Sequence, residues 1–306
     1  MSVVKKIEQC VIDPKTRFYY ATKLGFYNHL DDVTYLKKKF RLNIGIELDL
    51  ENPQTFNEKL QWLKLYDRKD IYTTMVDKYE AKKYVADIIG EEYIIPTLGV
   101  YDKFEEVDFN KLPKQFVMKC THNSGGIVIC RDKAKLNKRA AKKKIEKAMK
   151  RNYYYSCRDW PYKNVKPRII VEDFIKDDMT DDLRDYKFMC FNGKPEYVYI
   201  TVKNDDIFED YYDMNFRLID INHGFRRSEI DFKKPELFDK MVGIVKKLSE
   251  GVPFLRVDLH YVNGKVLFGE MTFYDWGGLR PFSGDGGWDK KLGNLIDLDL
   301  IRKKKF

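Results

Sequence analysis

The chain has 306 residues, 43% hydrophobic and 15% aromatic, which is enough for one large core or two to three small ones and excludes a disordered chain. Its 57 basic residues against 48 acidic ones give a net charge of +9, which favours anionic partners such as nucleotides, acidic sugars, nucleic acid or anionic lipid. No run reaches the roughly 18–20 apolar residues of a membrane span, and MSVVKKIEQCVIDPK lacks the apolar centre of a secretion signal. The expectation is a cytoplasmic protein, at most peripherally associated with the inner face of the membrane through the basic IRKKKF.

Residues 1–50 are predicted to be helical and irregular, with apolar residues in FYYATKLGFYNHL, a basic YLKKKFRL segment and no chemistry to read. In NPQTFNEKLQWLKLYDR, Thr55 followed by Glu58 is a capping box, and Phe56, Leu60, Leu63 and Trp62 supply the buried face of the helix it opens. A second helix is predicted over 71–89, carrying Met75, Tyr79, Lys82 or Lys83 and Val85, with Gly90 as its stop. After Pro96 the pattern changes to short β-like runs: FVMKC (116–120), GIVIC (126–130), RIIVEDFI (168–175), DYKFMCF (185–191), EYVYITV (196–202), FLRVDLHYV (254–262) and KVLFGEMTF (265–273). Helices at about 134–151 and 235–250 interrupt them. The first places Leu136, Ala140 or Ala141, Ile145 and Ala148 or Met149 on one side and lysines around the rest, a solvated face without the interleaved aromatics of a nucleic-acid reader. Hairpin signals at Asn192-Gly193 and Asn263-Gly264 argue for an α+β fold with mainly antiparallel sheets.

The five cysteines (Cys10, Cys120, Cys130, Cys157, Cys190) form no CxxC pair and have no histidine at metal-ligand spacing, which leaves them as buried free thiols. Three other segments carry chemistry. In the hairpin of FLRVDLHYV and KVLFGEMTF, a strict two-residue turn would put Asp258 and Glu270 on opposite faces. A three-residue loop of Val262, Asn263 and Gly264 with a bulge gathers Arg256, Asp258, Glu270 and Thr272 on one face and leaves Val257, Leu259, Leu267, Met271 and Phe273 on the other, and that separation favours it. The two carboxylates, diagonal neighbours, then suit one or two hard cations; a solvent-facing sheet with Arg256 paired to a carboxylate is the other reading. KCTHNSGGIVICRD offers a lysine and a Gly125-Gly126 loop to phosphate oxygens, or is an ordinary hairpin. In IIVEDFI the acidic pair Glu172-Asp173 marks a strand running into a turn, or a hinge that meets adenine through backbone groups. No GxxxxGK[ST] occurs and no GxGxxG follows a strand, which excludes P-loop and Rossmann sites.

In order, NPQTFNEKLQWLKLYDR, DKYEAKKYV, GEEYIIPTLGVYD, LPKQFVMKCTHNSGG, IIVEDFI, DYKFMCFNGKPEYV, RVDLHYVNGKVLFGEMTF and GGLRPF with WDKKLG resemble the ATP-grasp superfamily, and within it the branch associated with teichuronopeptide and other bacterial surface-polysaccharide biosynthesis, over about residues 52–298. The resemblance implies an ATP-grasp fold, two α+β lobes with largely antiparallel sheets clamping ATP: a helical N-terminal region (1–70), a helix and linker (71–115), a lid lobe (116–175) and a catalytic lobe (176–306). It implies that Lys78 and Lys119 contact ATP phosphates, that Thr121, His122, Asn123, Ser124, Gly125 and Gly126 close over them, and that Glu172, Asp173, Phe174 and Ile175 form the adenine hinge. Lys187 would support the phosphates or the substrate, Arg256 would steady the substrate carboxylate or tetrahedral intermediate, and Asp258 and Glu270 would hold one or two Mg²⁺ ions, or Mn²⁺ in their place. Many ATP-grasp enzymes have Asn where this chain has Thr272, which puts that one metal ligand in doubt.

The implied activity is an ATP- and Mg²⁺-dependent carboxylate–amine ligase acting through an acylphosphate, forming an amide on an acidic sugar or glycan with an amine or amino acid as the second substrate. The same residues would serve a kinase-like member phosphorylating a sugar acceptor. A glycosyltransferase would need an Asp-x-Asp motif, which Asp231-Phe232-Lys233 does not supply, and a non-catalytic acidic-polymer binder would need only the basic surface. Nucleic acid is not expected as a partner. RDWPYKN (158–164) and YDWGGLRPF (274–282) are candidate acceptor contacts or lobe packing.

Overall fold

The computed structural model describes residues 12–177, 184–203, 206–284 and 287–302. It begins with two helices, α1 (Pro14–Lys23), capped by Asp13, and α2 (Asp32–Ile44), capped by Asp31 and ended by Gly45 at φ 93°. Phe18, Tyr35, Leu36 and Phe40 of this pair pack with Leu48 and Leu279 in a small core of their own.

The capping box opens α3 (Phe56–Tyr66) as expected, with Phe56, Leu60, Trp62 and Leu63 buried. Asn57, Gln61 and Lys64 are buried too, because other segments wrap the helix on its polar side. Gln61 donates to the Gly278 carbonyl (2.6 Å), and Lys64 donates to the carbonyls of Cys157 (2.9 Å) and Gly277 (2.7 Å) while pairing with Asp159 (3.0 Å).

The single helix expected over 71–89 is two, α4 (Ile71–Val76) and α5 (Glu80–Ile89), the latter ended by Gly90 as predicted. The break at Asp77 and Lys78 has tertiary causes. Arg168 grips Asp77 at 2.7 Å, and the Lys78 N–H donates to the Thr121 carbonyl at 3.1 Å rather than back along a helix. Sequence periodicity cannot register such partners, and Lys78 therefore reaches the site from a loop between helices.

The smaller sheet holds β1 (Thr97–Tyr101), β2 (Phe116–Cys120), β3 (Val128–Cys130) and β4 (Ile169–Asp173) in the order β1-β4-β2-β3, every pair antiparallel. The unpredicted β1 comes from the segment expected to be linker; its exposed or half-buried positions show no period-2 alternation. On this sheet lies α6 (Lys138–Met149), which buries Ala141 and Ile145 and leaves most of its lysines to solvent, followed by α7 (Tyr154–Cys157).

The larger sheet holds β5 (Asp185–Phe191), β6 (Lys194–Lys203), β7 (Ile207–Asp213), β8 (Leu218–Ile219), β9 (Phe254–Val262) and β10 (Lys265–Thr272), ordered β10-β9-β5-β6-β7-β8, again antiparallel throughout. An apolar stripe on α8 (Phe238–Leu248), made of Phe238, Met241, Ile244, Val245 and Leu248, joins the main core with Phe188 and Val257. The described residues end with α9 (Trp288–Asn294) and α10 (Asp299–Arg302).

The β9–β10 hairpin corrects the predicted loop. Lys265 pairs with Val262, so the turn is the strict two-residue Asn263-Gly264, both at positive φ (50° and 72°). The bulge lies inside the strand instead, where the register shifts between Phe268 and Glu270 and leaves Gly269 unpaired. That shift makes Glu270 the direct partner of Asp258, not its diagonal neighbour, and Thr272 the partner of Arg256. The expected grouping of Arg256, Asp258, Glu270 and Thr272 therefore holds, by a different route, but Leu267, paired with His260, falls on their face and packs with Val262 and Ile95 rather than with Val257, Leu259 and Met271.

No helix among the described residues is long and apolar enough to cross a membrane. Cys120, Cys130 and Cys190 are buried free thiols and Cys157 is partly buried; Cys10, and residues 303–306 of IRKKKF, lie outside the described residues.

Candidate active site

Between the two sheets lies a cavity of about 300 Å³. Lys119 and Glu172 reach it from the smaller sheet, Lys78 and Lys82 from the α4–α5 segment, and Asp185, Lys187, Asp258, His260 and Glu270 from the larger sheet. Ser124, Gly125 and Ile127 lie at its edge, while Met75, Val76, Ile94, Ile95, Phe268 and Met271 provide apolar wall. Strand parity explains the larger sheet's contribution, since β5 presents Asp185 and Lys187, and β9 presents Asp258 and His260, at alternate positions on one face.

Charges in the cavity are paired in a chain. The Arg256 guanidinium donates through Nε and Nη2 to Asp258 (2.7 and 2.8 Å), through Nη2 to Glu270 (2.8 Å), and through Nη1 to Asp275 (2.7 Å) and the Tyr199 hydroxyl (3.3 Å). All five of its donors are engaged, and Arg256 stands behind the carboxylates rather than in the cavity wall. Lys187 Nζ lies 2.7 Å from Asp258 and 3.2 Å from Asp185, whose other oxygen meets His260 at 2.8 Å. Lys78 Nζ donates to the Asn123 carbonyl (3.0 Å) and stands 3.9 Å from Glu270.

These environments drive the two central carboxyl groups apart. Burial opposes ionisation of Glu270, but Lys78, Arg256 and Lys187 outweigh it and bring its carboxyl down to about 2. Asp258 is deeper, and burial together with the nearby Glu270 pushes it above the usual carboxylate range despite Arg256 and Lys187. For Asp185, His260 and Lys187 overcome burial and lower the carboxyl. Glu172 bridges Lys82 (2.6 Å) and Lys119 (2.7 Å), and those two ammonium groups hold it ionised against burial.

Of the residues singled out in the sequence, Lys78, Lys119, Ser124, Gly125, Glu172, Lys187, Asp258 and Glu270 line the cavity. Thr121, His122 and Asn123 are buried behind it as anchors of the loop: Thr121 binds the Lys166 carbonyl (3.3 Å), His122 Nε2 the Arg151 carbonyl (3.0 Å) and Asn123 the Ala148 carbonyl (3.0 Å). Gly126, at φ 62°, packs so closely on α6 that a Cβ there would stand 2.5 Å from that of Ala148. Beyond Glu172 the hinge segment turns from the cavity: Asp173 pairs with Phe116 in the sheet, Phe174 lies under Arg131, and Ile175 packs on Ile95, Val262 and Leu267. Thr272 directs its hydroxyl to Glu270 at 3.5 Å and is not part of the cavity wall. In the candidate acceptor segments, Arg158, Asp159, Tyr274 and Asp275 are buried in packing and Tyr162 reaches the cavity.

Lys82, Asp185 and His260 were missed as site residues. Parity with Lys187 and Asp258 along β5 and β9 was the signal for the last two. For Lys82 the sequence carries none, because its role depends on where α5 docks.

Among the described residues no three His, Cys, Asp or Glu side chains form a metal cage. Asp258 and Glu270, register partners with side chains on the cavity side, supply two carboxylates, which suits Mg²⁺ shared with phosphate oxygens rather than a cation enclosed by protein alone.

None of the curated proteins is significantly similar in sequence to this chain. Among solved structures, a D-alanine–D-alanine ligase from Bacillus anthracis complexed with ATP aligns at 15% identity over 76% of this chain and 68% of its own, with a TM-score of 0.44. The D-alanine–D-alanine ligase from Helicobacter pylori aligns at 15% identity over 78% and 68% of the two chains, with a TM-score of 0.40. The ATP-grasp ligase PsnB complexed with its minimal precursor aligns at 9% identity over 81% and 67%, also with a TM-score of 0.40. At such scores the superpositions are too loose to transfer residues or substrates. The family model TupA-like ATPgrasp, by contrast, matches residues 58–297, from the capping-box glutamate through both sheets, so the chain belongs to the TupA-like ATP-grasp family.

Proposed function

We propose that the chain joins a carboxylate to an amine at the expense of ATP, and that the carboxylate belongs to an acidic sugar or glycan. The supporting observation is the convergence of Lys78, Lys82, Lys119 and Lys187 with the Asp258–Glu270 pair around one cavity. Four ammonium groups, held in place by Glu172, Asp185 and Asp258, together with the Asp258–Glu270 pair for a cation, suit a triphosphate. The apolar residues Ile94, Ile95 and Met75 offer a face to the base. The net charge of +9 supports an anionic second ligand.

Lys119 and Lys78 bind phosphate oxygens, Glu172 orients Lys82 and Lys119, and the backbone at Ser124 and Gly125 lies against the phosphates. Asp258 and Glu270 would hold Mg²⁺, which when bound would offset charge on the transferring phosphoryl group. A substrate carboxylate oxygen attacks the γ-phosphorus, the bond to the β-phosphate oxygen breaks, and ADP leaves. The amine then attacks the acyl carbon, phosphate departs, and the amine loses a proton to water. Arg256 acts as a positioning residue here, fixing both carboxylates from behind.

Measuring ADP release across pairs of uronic acids and amines, with mass spectrometry of the products, tests the proposal. The expected product is an amide whose formation requires both substrates. ADP release with a stably phosphorylated sugar and no amide would instead establish the kinase outcome.

A further inference from the structure

A second cavity, of about 840 Å³, opens on the other side of the Ser124-Gly125 loop. One wall is α1 with its following turn and part of α2; the other is the end of α6 and the segment through α7. All of the first wall comes from residues 13–43, upstream of the stretch 58–297 that the family model matches.

Lys15, Lys23, Lys150 and Arg151 line this cavity, as does Lys39, whose ammonium is held by the Ser156 carbonyl and Cys157, against one carboxylate, Asp13, which is already occupied in capping α1. Tyr19, Tyr20, Tyr153 and Tyr155 also line it, Tyr19 being 57% exposed with Lys23 over its ring at 5.7 Å. The volume lies toward the upper end of the range that holds drug-sized ligands, more than one amino acid fills. Ser124 and Gly125 line both cavities, and the partition between them includes Tyr153 on this side, edge-on at 5.0 Å to Tyr162 on the other.

Resting on the ligase reading above, we propose that this cavity binds the substrate chain that carries the carboxylate, an acidic oligosaccharide of uronate type, and feeds its reacting sugar past Ser124 toward the γ-phosphate. Cations alone would suit any polyanion. Cations and tyrosines lining one cavity suit one whose carboxylates are borne on rings, because each sugar presents both an anion and an apolar C–H face. An acidic peptide would leave the tyrosines without stacking partners.

The test uses the full chain in calorimetric titrations with tetragalacturonate, with neutral cellotetraose, with tetraglutamate and with Mg·ATP. Tetragalacturonate is expected to bind and cellotetraose to show no heat. Lys23→Glu and Arg151→Glu, both with exposed side chains, should each weaken tetragalacturonate by about tenfold or more, with the melting temperature confirming the fold. Tyr19→Ala should weaken it severalfold. If Mg·ATP binds and tetragalacturonate does not, the cavity assignment falls and the ligase reading stands. Binding of tetragalacturonate without Mg·ATP would do the reverse. Tighter binding of tetraglutamate, or charge reversals that change nothing, would also overturn the assignment.

Discussion

Glu270 stands directly opposite Asp258 across β9 and β10, and the two side chains face one cavity because Gly269 between them is displaced from the ladder. A Cβ on Gly269 would meet the Asp258 carbonyl at 3.0 Å and His260 Nε2 at 3.1 Å, so the bulge depends on the missing side chain. Gly269→Val should lower stability by about 1–3 kcal/mol through overpacking and reduce ATP turnover with it. Urea denaturation with an ADP-release assay checks both; a variant unchanged in both would show that the bulge does not set the site.

Glu270→Gln keeps shape and hydrogen-bonding capacity, and its 40% exposed side chain faces the cavity, so folding should survive. Turnover should fall by roughly 10² or more, with partial recovery at raised Mg²⁺. Asp258→Asn should behave differently. It removes the counter-charge of both Arg256 and Lys187 at a 3% exposed side chain, so it should also destabilise the fold by about 3 kcal/mol. Equal melting temperatures for the two variants would contradict this asymmetry.

Lys119 is held by Glu172 at 2.7 Å and points into the cavity. Lys119→Ala should weaken Mg·ATP binding by about 10- to 100-fold, the range of a lost charged hydrogen bond, and reduce turnover with it. Glu172→Gln should weaken it less, by loosening Lys119 and Lys82 without removing either. Titration calorimetry on the two variants gives the order directly.

Glu209 provides a pH signature away from the carboxylate pair. Burial, then Asp275, push its carboxyl from 4.5 up to about 7, with Tyr211 donating to one oxygen and with Arg280 and Arg256 near enough to oppose the shift only in part. Below 4.5 the group is protonated folded or unfolded and contributes nothing to the pH dependence. Between 4.5 and about 7 the folded state keeps a proton that the unfolded state has lost, so stability falls as pH rises, and above that the loss is complete. The slope should be on the order of 1 kcal/mol per pH unit, and Glu209→Gln should flatten it. Urea midpoints from pH 5 to 8 on both proteins decide the point.

Lys64 is fully buried against Asp159 and two backbone carbonyls, tying α3 to the segments around Cys157 and Gly277. Lys64→Met leaves Asp159 buried without its ammonium partner, at an expected cost of about 3–5 kcal/mol. Adding Asp159→Asn should return a large part of it. Melting temperatures of the single and double variants measure the coupling.

Alternation along FLRVDLHYV and KVLFGEMTF showed that Arg256, Asp258, Glu270 and Thr272 share a face, and the Thr55–Glu58 box and Gly90 marked helix ends, because these signals are local and depend on backbone geometry alone. The family resemblance was legible for the same reason, as an ordered series of local segments. The tertiary structure decided what local geometry leaves open. It split the helix at Lys78 through Arg168 and Thr121, added β1, β7 and β8 where no clear strand pattern stood, and moved the bulge from the turn to Gly269. It turned Arg256 from a group facing substrate into one enclosed by carboxylates, and made residues 13–43 one wall of a cavity. Each of these rests on contacts between segments far apart in the chain, whose energies no stretch of residues carries within itself.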